Sequence, residues 1–203
     1  MMPYTIKAPA KASIKIQRSE FIAFLFPVED AESVQSILHQ HGQDYSDATH
    51  NCYAYILGFD SKTQHYSDAG EPGGTAGKPI LNSLLRNELT GVLAIVTRYY
   101  GGIKLGVKGL IDAYTTATTM AVESAKLTVY QEYCHYQIET EYSYLDTIRH
   151  QVSSLGGEEV EAGYGERAIL IVKIPIPASA AFSEFLDGYK GPGRLEYYIE
   201  EQI

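Results

Sequence analysis

The chain has 203 residues, of which 45% are hydrophobic and 20% charged, the composition of an ordinary globular protein with room for two domains. Its formal net charge of −9 argues against a protein that coats nucleic acid broadly and without specificity. The two cysteines, Cys52 and Cys134, are far apart in no motif spacing, which predicts neither a disulfide framework nor a zinc site.

The first part of the chain predicts alternating strands and helices. Apolar runs and alternations predict strands, whereas apolar residues three and four positions apart predict helices. Asp30 suits the cap of the first helix and Pro79 the first turn of the second. Residues 60–77 form a long polar loop, and loops of this length tend to be functional or disordered. The predicted strands are residues 13–17, 20–28, 51–59 and 92–99, and the predicted helices are residues 31–42, 79–87 and 107–126.

The pattern changes after residue 126, and the rest of the chain predicts a strand-helix-strand-strand-helix-strand order. These elements are residues 134–142, 144–155, 158–162, 167–174, 178–187 and 194–200. This order is that of the ferredoxin-like arrangement. We therefore expect an α+β protein with two domains, residues 1–133 and 134–203. The second carries 5 Lys/Arg against 12 Asp/Glu, so polyanion binding is not expected there.

Residues 97–110, called here the glycine turn, carry four glycines, two adjacent tyrosines and three cations at a predicted strand-to-helix junction. Glycines let a backbone approach closely, and cations with stacking rings suit a phosphate-rich partner. Gly101-Gly102 also suits a simple tight turn, and strand alternation assigns one of Tyr99 and Tyr100 to the core.

Residues 67–79, called here the acidic glycine segment, are the second candidate. Thr75 and Gly77 precede a predicted helix start, where free amides favour an anion. Asp68 and Glu71 suit a base or a metal ligand, or fold the loop back on itself through backbone hydrogen bonds. Neither this segment nor the glycine turn has the lysine spacing of a P-loop or the glycines of a dinucleotide fingerprint.

Residue chemistry gives little reason to expect an enzyme. A metal site or a Cys–His nucleophile could be formed by His50, Cys52, His65, Asp68 and Glu71. However, a buried cysteine is more often a small core residue. No serine nucleophile elbow or dedicated general base is visible. We expect no metal and no cofactor.

Three ordered blocks of the chain resemble the YigZ/IMPACT family. They read His50-Asn51-Cys52-Tyr53-Ala54-Tyr55, then residues 67–79, then residues 96–103 followed by Leu105-Gly106, Gly109-Leu110 and Ala113-Tyr114. The resemblance implies a first domain similar to domain IV of elongation factor G and a second similar to its domain V. It also implies a cytoplasmic protein, since the family is cytosolic. Eukaryotic members regulate translation through an extra recruitment domain for which this chain has no room, and bacterial members are described as candidate nucleic-acid-binding proteins.

The chain departs from the family pattern at Asn51, Ala69 and Val107, where the pattern has His, Asp and Thr, and it gains Lys108. The losses weaken an acid/base or metal site, whereas an added cation does not weaken anion binding. The departures favour binding over catalysis.

Our leading hypothesis is a translation-associated protein that binds RNA or the ribosome and has no membrane partner. One alternative is an enzyme for a small phosphorylated or peptide substrate that uses His50, Asp68 and Glu71. Another is a protein-interaction module that uses the acidic second domain, with Tyr197, Tyr198 and Ile199 on an exposed edge strand. We also expect both glycine segments to direct their helix starts at one anion. The expected anion- or RNA-binding residues are Arg98, Tyr99, Tyr100, Gly101, Gly102, Lys104, Lys108, Lys78, Thr75 and Gly77.

Overall fold

The computed structural model describes residues 3–191 and 194–200, which form five α-helices and three β-sheets. The protein therefore has a mixed α/β fold. The chain divides into two compact units between Tyr130 and Gln131, three residues before the boundary that the change in pattern predicts. Each unit has a hydrophobic core of its own.

The first unit is built on a five-stranded antiparallel sheet with the strand order β2-β3-β6-β4-β5. A separate two-stranded ribbon pairs β1 with β7. The elements are β1 (Tyr4–Ile6), β2 (Ala10–Ile16), β3 (Ser19–Pro27), α1 (Ala31–Asp44), β4 (His50–Leu57), β5 (Thr63–Ser67), α2 (Gly77–Arg86), β6 (Val92–Tyr99), α3 (Gly106–Ser124) and β7 (Leu127–Val129).

Strand β6 is central because its side chains are buried on both faces of the sheet, from Val92 to Arg98. On one face, a cluster that includes Ile80 of α2 and Tyr114 of α3 packs against the sheet. On the other face, Val34 of α1 packs against Leu93 and Ile95. The predicted cap of α1 is confirmed, because the Asp30 side chain accepts a hydrogen bond from the Ser33 amide.

The register of the sheet decides which side chains meet at the end of β6. Arg98 pairs with Phe21 of β3 on one side and with His50 of β4 on the other. Side chains directly opposite each other in antiparallel strands lie on the same face. Because Phe21 belongs to the core beneath α2 and α3, Arg98 and His50 lie on that covered face as well.

The second unit is a four-stranded antiparallel sheet with the strand order β11-β8-β10-β9. Its core joins Ile138 and Leu170 of the sheet to Ile148 and Phe182 of the two helices. Strand β11 is an edge strand on which Tyr198 is 65% exposed, whereas the Tyr197 hydroxyl donates to Asp187. The elements are β8 (Tyr133–Thr140), a 3₁₀ turn (Tyr142–Tyr144), α4 (Leu145–Ser154), β9 (Glu158–Tyr164), β10 (Ala168–Pro175), α5 (Ile176–Asp187) and β11 (Leu195–Glu200).

The structure adds three short strands to the predicted elements. Strand β5 lies inside the segment predicted as a loop, because its Thr-Gln-His-Tyr-Ser sequence pairs with β4 but has no apolar alternation. Strands β1 and β7 have three residues each, too few to show a period. In the described part of the chain, no helix is both long and apolar enough to cross a membrane.

Candidate functional site

A cavity of about 480 Å³ lies in the first unit, beside the end of β6 and the start of α3. The start of β4, the acidic glycine segment and the glycine turn all contribute to its walls. Three stretches that are separate in sequence therefore meet at one place. The residues that line the cavity are Thr49, His50, Glu71, Pro72, Arg98, Tyr100, Lys104, Leu105, Gly106, Val107 and Leu110.

A buried ion pair closes the inner end of the cavity. The Arg98 Nη1 atom donates to Glu71 Oε1 at 2.5 Å, and only 6% and 3% of the two side chains are exposed. The Tyr114 hydroxyl donates to the same oxygen at 2.8 Å. The sequence analysis expects Arg98 to contact a phosphate, but in the structure its guanidinium is buried and paired with Glu71. Arg98 is buried because it lies on the face of the sheet that α2 and α3 cover.

Cys52 belongs to the core beneath this pair. Its thiol donates to the Asp68 carbonyl oxygen at 2.9 Å and lies 3.4 Å from the Tyr114 hydroxyl. Burial raises the pKa of Cys52 to about 12, and burial also raises the pKa of Tyr114. At neutral pH the cysteine is therefore a thiol and not an activated nucleophile.

His50 borders the cavity with one ring nitrogen already engaged. Its Nδ1 atom lies 2.9 Å from the Ala69 carbonyl oxygen, which can only accept, so Nδ1 carries the proton. In the neutral ring Nε2 is then an acceptor, 4.0 Å from Glu71 Oε1. That separation is too long for a hydrogen bond.

The start of α2 is occupied by a side chain of the protein itself. Asp68 accepts from the backbone amides of Gly74, Ala76 and Gly77 at 2.8, 3.0 and 2.8 Å. Partial burial acts to raise the pKa of Asp68, but these three donors outweigh it and lower the pKa. The acidic glycine segment therefore supplies its own anion, and the expectation that both helix starts share one external anion does not hold at α2.

The glycine turn is held close to the β2–β3 hairpin. A Cβ on Gly101 would lie 2.0 Å from the Arg18 carbonyl carbon, so no larger residue fits there. The Gly101 amide donates to Ser19 Oγ at 3.1 Å, and Gly102 has a φ of +85°. Gly101 is therefore required by the close approach of the hairpin backbone, whereas Gly102 is favoured by its left-handed backbone conformation.

The two adjacent tyrosines have different environments. The Tyr99 hydroxyl donates to Asp47 Oδ1 at 2.9 Å, away from the cavity walls. Tyr100 lines the cavity and is 44% exposed, while its backbone amide donates to Thr49 Oγ1 at 3.0 Å. Tyr100 is therefore the tyrosine whose ring is available to a ligand.

The three predicted lysines and Thr75 differ in their exposure and in their distance from the cavity. Lys104 is exposed and lines the cavity, and Lys108 is exposed in the first turn of α3. Among the described residues, no side chain caps the start of α3 and its first turn holds no acid. Lys78 is exposed on α2 but is not a wall residue, and Thr75 is buried with its hydroxyl bonded to Pro72 O.

Sequence reasoning missed the residues that position the turn. Ser19 accepts from Gly101 and from Arg98 Nη2, the latter at 3.4 Å, and Thr49 holds the Tyr100 backbone. Arg18 adds an exposed cation to the same hairpin. Only the pairing of β3 with β6 brings this hairpin to the turn, and no local pattern encodes that pairing.

The structure does not bring together the side chains that the sequence offers as metal ligands. Within residues 3–191 and 194–200, no group of three or more His, Cys, Asp and Glu side chains is placed to hold a metal ion. His65 instead packs its ring beside Tyr53 and Tyr55, at 5.9 and 5.7 Å between centroids.

Comparison with known proteins places these features in a family. Residues 17–122, which include every cavity-lining residue, match the Impact N-terminal domain. The chain is 32% identical to the IMPACT family member YigZ of Escherichia coli (strain K12) over 96% of each chain. It is 31% identical to the IMPACT family member YvyE of Bacillus subtilis (strain 168), over 90% of this chain and 84% of that one.

A solved structure agrees over the full length. A crystal structure of a hypothetical protein is 30% identical and superposes with a TM-score of 0.69 over 100% of both chains. The domain match covers more than half of this chain, and the similarity to YigZ covers nearly all of it. The chain therefore belongs to the IMPACT family.

Proposed function

We propose that this protein is a cytoplasmic, translation-associated regulator that binds RNA or the ribosome through the glycine turn. Family membership supports the link to translation, because the eukaryotic members are expected to regulate it. The observation that carries the binding proposal is the composition of the cavity rim. There the exposed Tyr100 ring and the exposed Lys104 stand together at the uncapped start of α3.

The proposal includes the likeness of the two units to domains IV and V of elongation factor G. For the second unit, the support is its element order and its strand order β11-β8-β10-β9, as in a ferredoxin-like domain. Elongation factor G binds the ribosome, so a likeness to two of its consecutive domains supports binding of the ribosome or RNA by this chain.

The charges near the turn suit a phosphate backbone even though the whole chain is acidic. Lys104 and Lys108 are exposed at the start of α3, and Arg18 is exposed in the adjoining hairpin. A helix start contributes about 0.3–1 kcal/mol to an exposed anion, so the lysines must supply most of the attraction. Between residues 86 and 111 the chain has four cations and one acid, which gives a local basic patch.

The salt dependence of RNA binding tests this proposal. Lysines that neutralise phosphates release counterions, and each lost contact flattens the slope of log K against log salt by about 0.7 for a single strand. Lys104→Ala with Lys108→Ala should therefore flatten the slope by about 1.4. Arg98 is unsuitable as a target because its loss would disturb the buried pair.

The matched control is Lys7→Ala with Lys126→Ala, which removes the same charge at the opposite end of α3. The Lys7 amide donates to the Lys126 carbonyl, and the 19 residues of α3 place this pair about 27 Å from the turn. The control should leave the slope unchanged. Equal slopes for the parent and both double variants, or no co-sedimentation of the parent with ribosomal subunits at low salt, would refute the proposal.

A second candidate function is an enzyme for a small phosphorylated or peptide substrate. The observation that favours it is that His50 and Glu71 face one cavity, with the acceptor Nε2 of the neutral ring near the carboxylate. Asp68 is not available for this chemistry, because its carboxylate holds the start of α2. Turnover in a hydrolase screen that His50→Ala abolishes would favour the enzyme over the RNA-binding protein.

A further inference from the structure

We propose that the cavity holds one unstacked RNA base, while the neighbouring backbone phosphate contacts Lys104. This inference rests on the proposed function and names what the site recognises. Three features of the cavity support it: a fixed aromatic ring at its mouth, apolar walls, and a polar inner end.

The Tyr100 ring is held in place before any ligand binds. The guanidinium carbon of Arg98 lies 5.3 Å from the ring centroid, and the backbone amide of Tyr100 is tied to Thr49. A ring fixed at the rim and 44% exposed offers a stacking surface at low entropic cost. Bases of single-stranded RNA are commonly recognised by stacking on such rings.

The walls and the volume suit a flat heteroaromatic group. Pro72, Leu105, Val107 and Leu110 supply the apolar lining. A volume of about 480 Å³ lies within the range of small-ligand sites, and it leaves room for a base with part of its sugar. A base has apolar faces and a polar edge, which matches apolar walls that lead to a polar end.

The inner end of the cavity presents one acceptor and one donor. Glu71 Oε1 already accepts from Arg98 and Tyr114, whereas His50 Nε2 is an acceptor in the neutral ring and lies 4.0 Å from that oxygen. Among the described residues, Arg98 Nε is a buried donor without a hydrogen-bond partner. The Watson–Crick edge of each RNA base carries a donor beside an acceptor and can therefore pair with both groups.

Lys104 links the cavity to the strand that would carry the base. It is exposed at the rim, and Lys108 follows one turn later on α3. Duplex RNA cannot place a base in the cavity without breaking a pair. The site should therefore prefer a single strand, in which unstacked bases are accessible.

Fluorescence anisotropy of the full chain with labelled oligo(A), oligo(C), oligo(U) and an RNA duplex tests the inference. The parent should bind the three single strands more tightly than the duplex. Tyr100→Ala should weaken binding to oligo(A) by roughly 5- to 150-fold, the range for the loss of one stacked base, without a change in salt slope. Tyr100→Phe should restore most of the affinity, because stacking needs the ring and not the hydroxyl.

Two further variants complete the design. His50→Ala removes the acceptor at the inner end and should weaken binding to oligo(A) without a change in salt slope, and its thermal melt verifies that it is folded. Tyr66→Ala is the matched control, because Tyr66 is 42% exposed on the edge strand β5 outside the cavity walls. This variant should bind like the parent.

The outcomes separate this inference from the proposed function. If Tyr100→Ala binds like the parent while Lys104→Ala with Lys108→Ala flattens the salt slope, RNA binding stands and the base site is refuted. Equal or tighter binding of the duplex by the parent also refutes the base site. If the parent binds none of the RNA probes and no ribosomal subunit, the proposed function fails and this inference fails with it.

Discussion

The buried pair of Glu71 and Arg98 is the residue-scale feature on which the cavity depends. Removal of one partner leaves an uncompensated buried charge, which typically costs about 3–5 kcal/mol. Arg98→Met should therefore lower the free energy of unfolding by about that amount, as measured by urea denaturation. Arg98→Met combined with Glu71→Gln should be less destabilised than the sum of the two single variants, because the double variant holds no unpaired charge.

Lys104→Ala is the control for this prediction, because an exposed side chain without a buried partner changes stability by within about 0.5 kcal/mol. If Arg98→Met is no more costly than Lys104→Ala, then Arg98 is not held as the structure describes, and its role in binding must be reconsidered.

At the scale of elements, the start of α2 depends on a residue nine positions before Gly77. Asp68→Ala removes the acceptor for three backbone amides and should cost about 1–2 kcal/mol, the upper range for the loss of a helix cap. Asp68→Asn keeps an amide oxygen that can accept from the backbone amides of Ala76 and Gly77. Its unfolding free energy should therefore lie between those of Asp68→Ala and the parent.

Asp60→Ala is the matched control for Asp68, because the Asp60 carboxylate bonds only Lys62 in the described part of the chain. It should change the unfolding free energy by within about 0.5 kcal/mol. Equal losses for Asp60→Ala and Asp68→Ala would contradict the assignment of Asp68 as the anchor of α2.

The contact of α1 with the sheet should make stability depend on pH. His41 is buried, and its Nε2 lies 2.8 Å from Thr97 Oγ1. Burial lowers the pKa of His41 below its ordinary value of 6.5. Above pH 6.5 the side chain is neutral in both the folded and the unfolded states. As the pH falls below 6.5 the unfolded chain takes up a proton first, so stability is lost until the pH reaches the lower folded pKa.

Melting temperatures measured from pH 7.5 down to about 5 test this linkage. The parent should lose stability with acidification through this window, and His41→Gln, which keeps a donor but does not titrate there, should lose less. His39→Gln is the control on the same helix, because His39 is exposed. An identical pH profile for the parent and His41→Gln would show that another group is responsible.

The elements that the sequence predicts well are those with a strong local period. The uniformly apolar β6 and the capped helix α1 are found where their patterns place them. The edge strand β5 is not predictable, because it depends on hydrogen bonds to β4 and not on buried apolar side chains. The site follows the same rule: Tyr100 and Lys104, which the sequence singles out as binding residues, are exposed and line the cavity, but Arg98 is not recognisable as a paired core residue. Its partner Glu71 is 27 residues away, and only the folded sheet brings the two together.

At the scale of the whole molecule, the two units should be separable in fold and in binding. Each has its own core, and the chain divides between Tyr130 and Gln131. The cavity and the glycine turn lie entirely within the first unit, which carries 11 Lys/Arg against 12 Asp/Glu. The second unit carries 5 against 13, a net charge of −8 that repels a phosphate backbone.

Fragments of residues 1–130 and 131–203 should therefore each fold, as judged by circular dichroism and a cooperative thermal transition. Residues 1–130 should keep the RNA affinity and the salt slope of the full chain, whereas residues 131–203 should bind none of the RNA probes. The slope is the decisive quantity, because it counts the phosphates that are neutralised whatever the absolute affinity. A folded fragment 1–130 with a flatter slope than the full chain would mean that the second unit supplies cations to the RNA. Arg149, Arg167 and Lys173 are already paired with Glu159, Glu139 and Glu158, so we expect the slope to be unchanged.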